Sequence, residues 1–223
     1  MRFGVLQFPG SCDERDALAA CERVGDATLI WHGDTELGGI DAVVVPGGFS
    51  YGDYLRAGAI ARFAPAMEAV AAFARAGGPV LGICNGFQVL CEAGMLPGAL
   101  LPNEGLRFVC RQVELDVESA GTAFTAGIEA GERLSIPVKH TTGRFFAPEA
   151  TLDRLEASGQ VVFRYARGHN PNGSARDIAG VANEDGNVVG LMPHPEHAVD
   201  ALTGSTDGLR LFEAVAARAA APA

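Results

Sequence analysis

The 223-residue chain carries 27 acidic against 17 basic side chains, a formal net charge of −10, and no basic cluster interrupts it; nucleic-acid binding is therefore not its expected task. Hydrophobic residues make up 48% and charged ones 20%, which suits a large core and excludes a disordered chain. Five cysteines without a CxxC pair suggest neither a disulfide framework nor a zinc ribbon, and no apolar run approaches a membrane span, so reduced thiols and a cytoplasmic location are expected.

No linker interrupts the chain, and one domain over residues 1–223 is expected. Phe3–Gln7 reads as a buried strand, followed by a loop over Phe8–Cys12 and a helix from Asp13 or Glu14 to about Val24. Ala27–Trp31 and Ala42–Val45 read as strands two and three, and Met67–Ala76 as an alanine-rich helix ended by Gly77-Gly78. Pro79–Ile83 is a fourth buried strand, running into a helix that carries Phe87, Leu90 and Cys91. Strand–helix alternation predicts a doubly wound, largely parallel α/β sheet, with the loops at Pro9, Gly47 and Cys84 on one rim.

Leu96–Leu106, with two prolines and two glycines, is expected to be irregular. Beyond it Val113, Leu115 and Val117 alternate with acidic residues, as in a half-exposed strand. Arg133–Val138 and Gln160–Tyr165 read as strands and Pro148–Ala157 as a helix. Ile178–Ala182 and Val188–Met192 flank Asp185-Gly186, a hairpin signal. The second half therefore adds antiparallel strands, and Ser205–Ala219 closes the chain as a helix with an Ala-rich end expected to fray.

Gly82-Ile83-Cys84-Asn85-Gly86 is the cysteine form of the Gly-x-Ser-x-Gly nucleophile elbow. It places Cys84 at a helix N-terminus, where the dipole favours thiolate, and aims the Asn85 N–H at an oxyanion. Cys21, Cys91 and Cys110 read as small buried hydrophobes instead. A thiolate needs a base and the base an orienting group. The run Pro193-His194-Pro195-Glu196-His197 supplies both: on a backbone that the prolines keep extended, His194 and Glu196 project to one side. Metal binding by His194 and His197, or a satisfied surface turn, are the competing readings. The prolines preclude the helix on which zinc histidines often lie, and no carboxylate–cysteine cluster of ligand spacing accompanies them, so no metal is expected. Pro46-Gly47-Gly48 reads as the second half of the oxyanion site, through the Gly48 N–H. Gly47 and Gly48 accept either sign of φ, so their peptide could present N–H or C=O there, which offers a partner-controlled switch.

These residues together resemble the class I (triad-type) glutamine amidotransferases, and most closely the purine-biosynthetic branch. The resemblance is carried by Pro46-Gly47-Gly48-Phe49-Ser50-Tyr51-Gly52-Asp53-Tyr54-Leu55-Arg56, Gly58–Phe63, Cys84–Gln88, Asn170–Ser174 and Met192–Glu196. It implies a flavodoxin-like fold and hydrolysis of L-glutamine through a thioester on Cys84, with His194 as base and acid and Glu196 orienting it. It also implies an oxyanion hole from Gly48 and Asn85, and glutamine contacts from Gly47, Phe49, Gln88 and His140. Ammonia would pass to a separate large synthetase subunit, which holds ATP and magnesium and makes formylglycinamidine ribonucleotide, and a small third subunit would join them; this chain itself would carry no cofactor. Three departures from the family pattern stand out: no Asn precedes Cys12, His197 replaces an Arg, and Thr141-Thr142-Gly143 replaces Gly-Glu-Gly. Another cysteine hydrolase of the same fold (γ-glutamyl hydrolase or DJ-1-like) and a non-catalytic scaffold subunit are the alternatives.

Overall fold

The computed structural model describes residues 1–220; the last three residues of the Ala-rich terminus, and the fraying expected of them, lie outside the described residues. The first half is β1 (Arg2–Gln7), α1 (Glu14–Glu22), β2 (Asp26–Trp31), β3 (Ala42–Val45), α2 (Pro65–Arg75), β4 (Val80–Ile83) and α3 (Asn85–Glu92). The second is β5 (Ala99–Pro102), β6 (Val109–Val117), β7 (Arg133–His140), β8 (Thr142–Phe146), α4 (Glu149–Ala157), β9 (Val161–Tyr165), β10 (Ile178–Ala182), β11 (Val188–Leu191) and α5 (Leu209–Ala220).

Nine strands form one sheet in the order β2-β1-β3-β4-β11-β10-β9-β6-β7. Strands β2, β1, β3, β4 and β11 are parallel, and every later pair is antiparallel. The second half thus extends the first sheet. The parallel strands β3, β4 and β11 are buried along their whole length, which is why they read as unbroken apolar runs. Helix α3 packs on β3, β4 and β11, while α1 packs on β1, β2 and α5. Although β7 is four strands from β11 in the sheet, the His194 N–H donates to Pro137 O at 2.8 Å. The antiparallel part therefore coils back over the C-terminal rim of the parallel part.

Four readings of the sequence need correction. The Leu96–Leu106 stretch is not wholly irregular: β5 pairs with β8, a strand the sequence did not reveal, in a separate two-stranded sheet. Their register shifts at Pro102, whose missing N–H cannot extend the ladder. Strands β6 and β7 are longer than expected and pair from Val109↔His140 to Asp116↔Arg133. Cys110 is exposed, because it shares the parity of Gln112 and Glu114 and so the solvent side of β6; Cys21 is buried and Cys91 half-buried against the core. The last helix starts at Leu209, since Ser205 is held in a bridge to Asp200 and caps the Asp207 N–H.

Candidate active site

Each parallel strand that points at the site delivers one part of it from its C-terminal end, the rim where ligands bind in open α/β sheets. Strand β1 leads to the 8–13 turn, β3 to Gly47 and Gly48, β4 to Cys84, and β11 to His194. Strands β4 and β11 pair in parallel from Val80↔Val188 to Ile83↔Leu191, so the segments carrying Cys84 and His194 leave the sheet side by side.

Cys84 takes φ 50° and ψ −102°, outside the regions that L-residues favour. Helix α3 begins at the next residue, which fixes the thiol at its N-terminus. The turn is possible because Gly86 has no side chain: a Cβ there would overlap Val45 O. Phe87, fully buried, stacks on Phe145 of β8 with ring centroids 6.0 Å apart and anchors the elbow helix, a burial worth about 1.5–3 kcal/mol.

His194 is 1% exposed, and its Nδ1 lies 2.6 Å from Glu196 Oε1. The extended backbone expected here is absent after His194. Pro195–His197 is a 3₁₀ turn, which Pro195 tolerates because the first residue of a helical turn needs no N–H. The pair meets across that turn. Burial pushes the His194 imidazole down, but the Glu196 carboxylate and the Cys84 thiolate outweigh it and raise it to about 10. The imidazolium is thus the favoured form, and His194 Nε2 is buried with no hydrogen-bond partner among the described residues.

Gly47 O accepts from the N–H groups of Cys12 at 3.2 Å and Asp13 at 3.3 Å. In a trans peptide the C=O and N–H point apart, so the Gly48 N–H faces away from that turn, and Gly48 lines the pocket. The reversible peptide expected from sequence is thus held in its N–H-out setting. Gly48 has φ +139°, and a Cβ would fall 2.6 Å from Cys12 N, so both conformation and space require glycine. The N–H groups of Gly48 and Asn85 have no protein acceptor among the described residues.

One pocket brings together Cys84, His194, Gly48, Phe49, Gln88 and His140. Gly47 does not line it; its Cα backs onto Asp13 and His194. Gln88 spends its amide internally, accepting from Asn85 Nδ2 at 2.8 Å and donating to Thr142 O. His140 is likewise occupied. Its Nδ1 donates to Asn103 Oδ1 at 3.0 Å, and its Nε2 faces Asn172 Nδ2 at 3.4 Å. Burial, reinforced by the His194 charge, pushes this imidazole down to about 4, consistent with the neutral tautomer. Thr142 and Gly143 close the site from β8: a Cβ on Gly143 would sit 2.5 Å from the His140 ring.

Sequence reasoning missed Asp13, Cys12, Asp53, Phe108 and Lys139 as pocket residues. Asp53 accepts from Asn85 Nδ2 at 3.3 Å; burial pushes its carboxyl up, only partly offset by that bond. Cys12 lines the same pocket as Cys84, but burial and the Asp13 charge push its thiol up, leaving less thiolate. The signal for Asp13 was its place just before α1 in the loop after β1, on the functional rim. Asp13, His194, Glu196 and His197 have ligand-type atoms within 4.8 Å of one another. The Lys139 ammonium already holds Asp13, which makes the cluster a hydrogen-bond network around the histidine.

Residues 1–213 match the model of the CobB/CobQ-like glutamine amidotransferase domain. The chain is 62% identical to phosphoribosylformylglycinamidine synthase subunit PurQ of Rubrobacter xylanophilus, covering 98% of this chain and 99% of that one. It is 61% identical to the protein of the same name from Frankia casuarinae, over 96% and 92% of the two chains. In three dimensions it is similar to a chain in the structure of PurLQS from Thermotoga maritima, with a TM-score of 0.90, 42% identity and 98% of each chain covered.

Proposed function

The chain belongs to the CobB/CobQ-like glutamine amidotransferase family, and on that premise we propose that it is the glutaminase subunit of a phosphoribosylformylglycinamidine synthase, acting in purine biosynthesis. Its partners are a large synthetase subunit and a small third subunit, as in the PurLQS assembly. The observation that carries the reading is the strained, helix-capping Cys84 in one pocket with a buried His194–Glu196 pair.

The Cys84 thiolate attacks the side-chain amide carbon of L-glutamine. The oxygen becomes an oxyanion that the N–H groups of Gly48 and Asn85 stabilise. The imidazolium of His194 gives its Nε2 proton to the departing nitrogen; the C–N bond breaks, ammonia leaves, and a γ-glutamyl thioester remains on Cys84. His194, now neutral, takes a proton from water as that water attacks the thioester, and glutamate departs. Glu196 orients the ring and stabilises its charge throughout. Asp53, a desolvated carboxylate on the pocket wall, is placed to receive the α-ammonium group of glutamine, and Phe49 packs against its methylenes. Gln88 and His140 act by holding the pocket wall, since their polar atoms are already engaged.

Ammonia passes to the synthetase, which uses ATP and magnesium to convert formylglycinamide ribonucleotide to formylglycinamidine ribonucleotide; this chain binds no cofactor. The docking face for that partner is the pocket mouth. Phe49 and Phe108 line it half-exposed, and Tyr54 and Leu55, 75% and 84% exposed, follow Asp53 in the same loop. Exposed aromatic and aliphatic groups so placed fit an interface core that seals the ammonia path from water. Five free thiols suit the reducing cytoplasm, and no helix of the described residues is long and apolar enough to cross a membrane. Similarity over nearly the whole chain to synthase subunits, with an intact Cys–His–Glu set, leaves the hydrolase and scaffold alternatives with less support.

Labelling with a diazoketone analogue of glutamine, followed by peptide mapping, tests the reading. One adduct on Cys84 is expected, suppressed by glutamine. Labelling of Cys12 or Cys110 with Cys84 untouched would contradict it.

A further inference from the structure

Asp13 does two things at once. Its main-chain N–H donates to Gly47 O at 3.3 Å and, with the Cys12 N–H, fixes the peptide whose other side carries the Gly48 N–H. Its carboxylate, 4% exposed, runs beneath Gly47 to the catalytic histidine: Oδ2 lies 3.7 Å from His194 Nδ1, outside hydrogen-bond length but within ion-pair range. A Cβ on Gly47 would overlap Asp13 Oδ2 and approach His194 Cε1 to 2.8 Å, so the glycine leaves the carboxylate room to reach the ring. The other oxygen, Oδ1, is held by the Lys139 ammonium and lies 3.3 Å from His197 Nε2.

Taking the glutaminase reading as its basis, we infer that Asp13 is a positioning residue of the reaction, one turn that sets the His194 ring and the oxyanion peptide in register, with Lys139 as its counter-charge. The titratable groups around His194 are Cys84 at the start of α3, Glu196 and His197 from the 195–197 turn, Asp13 from the turn before α1, and Lys139 and neutral His140 from β7. Glu196 makes the short bond to Nδ1. Asp13 adds a second negative charge, which favours imidazolium, and Lys139 opposes it. Lys139 also presents its own C=O to the Cys84 thiol at 3.9 Å, so the ion pair borders the nucleophile as well as the base.

The roles separate by sign. Asp13→Asn keeps the shape and the main-chain clamp but removes the charge; the imidazolium is less favoured and the alkaline limb of activity moves to lower pH. Lys139→Met leaves Asp13 uncompensated; the imidazolium is more favoured and the limb moves to higher pH. Shifts of about 1 pH unit are expected for charges at this range.

The experiment uses the assembled synthase complex with ATP and its ribonucleotide substrate. It compares wild type, Asp13→Asn and Lys139→Met for kcat, KM for glutamine and the alkaline limb of kcat/KM. Asp13→Asn is expected to lower kcat about 10- to 100-fold with little change in KM, because the charge that steadies the imidazolium is lost while the substrate contacts are kept. The two limbs are expected to move in opposite directions. Unmoved limbs, or limbs that move together, would overturn the inference while leaving the glutaminase reading intact, as would an unchanged kcat in Asp13→Asn. If Asp13→Asn does not fold, the upward shift in Lys139→Met decides alone: its presence supports the inference and its absence overturns it. A wild-type complex that releases no glutamate would overturn the glutaminase reading itself.

Discussion

His194 is buried among the Glu196 and Asp13 carboxylates, and its behaviour decides the chemistry. Against the cost of burial, the Glu196 carboxylate and the Cys84 thiolate raise it from its ordinary value to about 10, so the imidazolium is the resting form at neutral pH. Because its folded-state value is raised, this charge contributes stability that is complete below the ordinary histidine range and is lost as pH climbs toward 10. Glu196→Gln keeps the size of the side chain but not the charge. We expect kcat to fall with KM for glutamine nearly unchanged, and the alkaline limb of kcat/KM to move to lower pH. A change in KM alone would make Glu196 a substrate ligand and not an orienter. The residues of this triad were legible in the sequence, since each sits beside a strand end with its own signature: glycines flank Cys84, prolines flank His194. Asp13 and His197 were not legible in the same way. They meet across 184 positions, and Asp13 meets Lys139 across 126, contacts that only the sheet order creates.

At the level of elements, the elbow depends on a strand and a helix meeting without a side chain between them. Gly86 faces Val45 O and Gly82 faces Leu90 and the Gly86 carbonyl, each too close for a Cβ. Gly86→Ala is therefore expected to destabilise the protein on the order of 3 kcal/mol, roughly 10 °C in Tm for a chain of this size, and to lower Cys84 reactivity with it. Thermal unfolding followed by circular dichroism checks this; an unchanged Tm would mean that α3 can shift away from β3. Parallel strands announced themselves as apolar runs because both faces are covered. The β5–β8 pair did not, because Leu96–Leu106 mixes prolines and glycines with apolar residues, and its pairing partner lies across the 103–141 segment. That hidden pair positions Thr142 and Gly143, which close the pocket over Gln88 and His140. The 3₁₀ turn at Pro195 escaped for a different reason: proline forbids a helix interior but starts a helical turn well, and sequence alone does not distinguish the two.

For the molecule as a whole, the parallel half supplies the nucleophile, base and oxyanion donors, and the antiparallel half coils back to supply Lys139, His140 and the β8 wall. Doubly wound alternation made the first half legible from sequence; the coil that brings β7 to His194 depends on accumulated sheet twist, which no local pattern encodes. The pocket opens at a mouth edged by exposed apolar side chains, the arrangement expected of a subunit that hands a small neutral product to a partner without releasing it. One paired assay tests this account most directly. In the assembled complex, amidine formation is measured with glutamine and, separately, with free ammonium as nitrogen source, for wild type and Cys84→Ala. Cys84→Ala is expected to lose the glutamine-dependent reaction while keeping the ammonium-dependent one at the wild-type rate. Glutamine-dependent product formation that survives in Cys84→Ala would contradict the account.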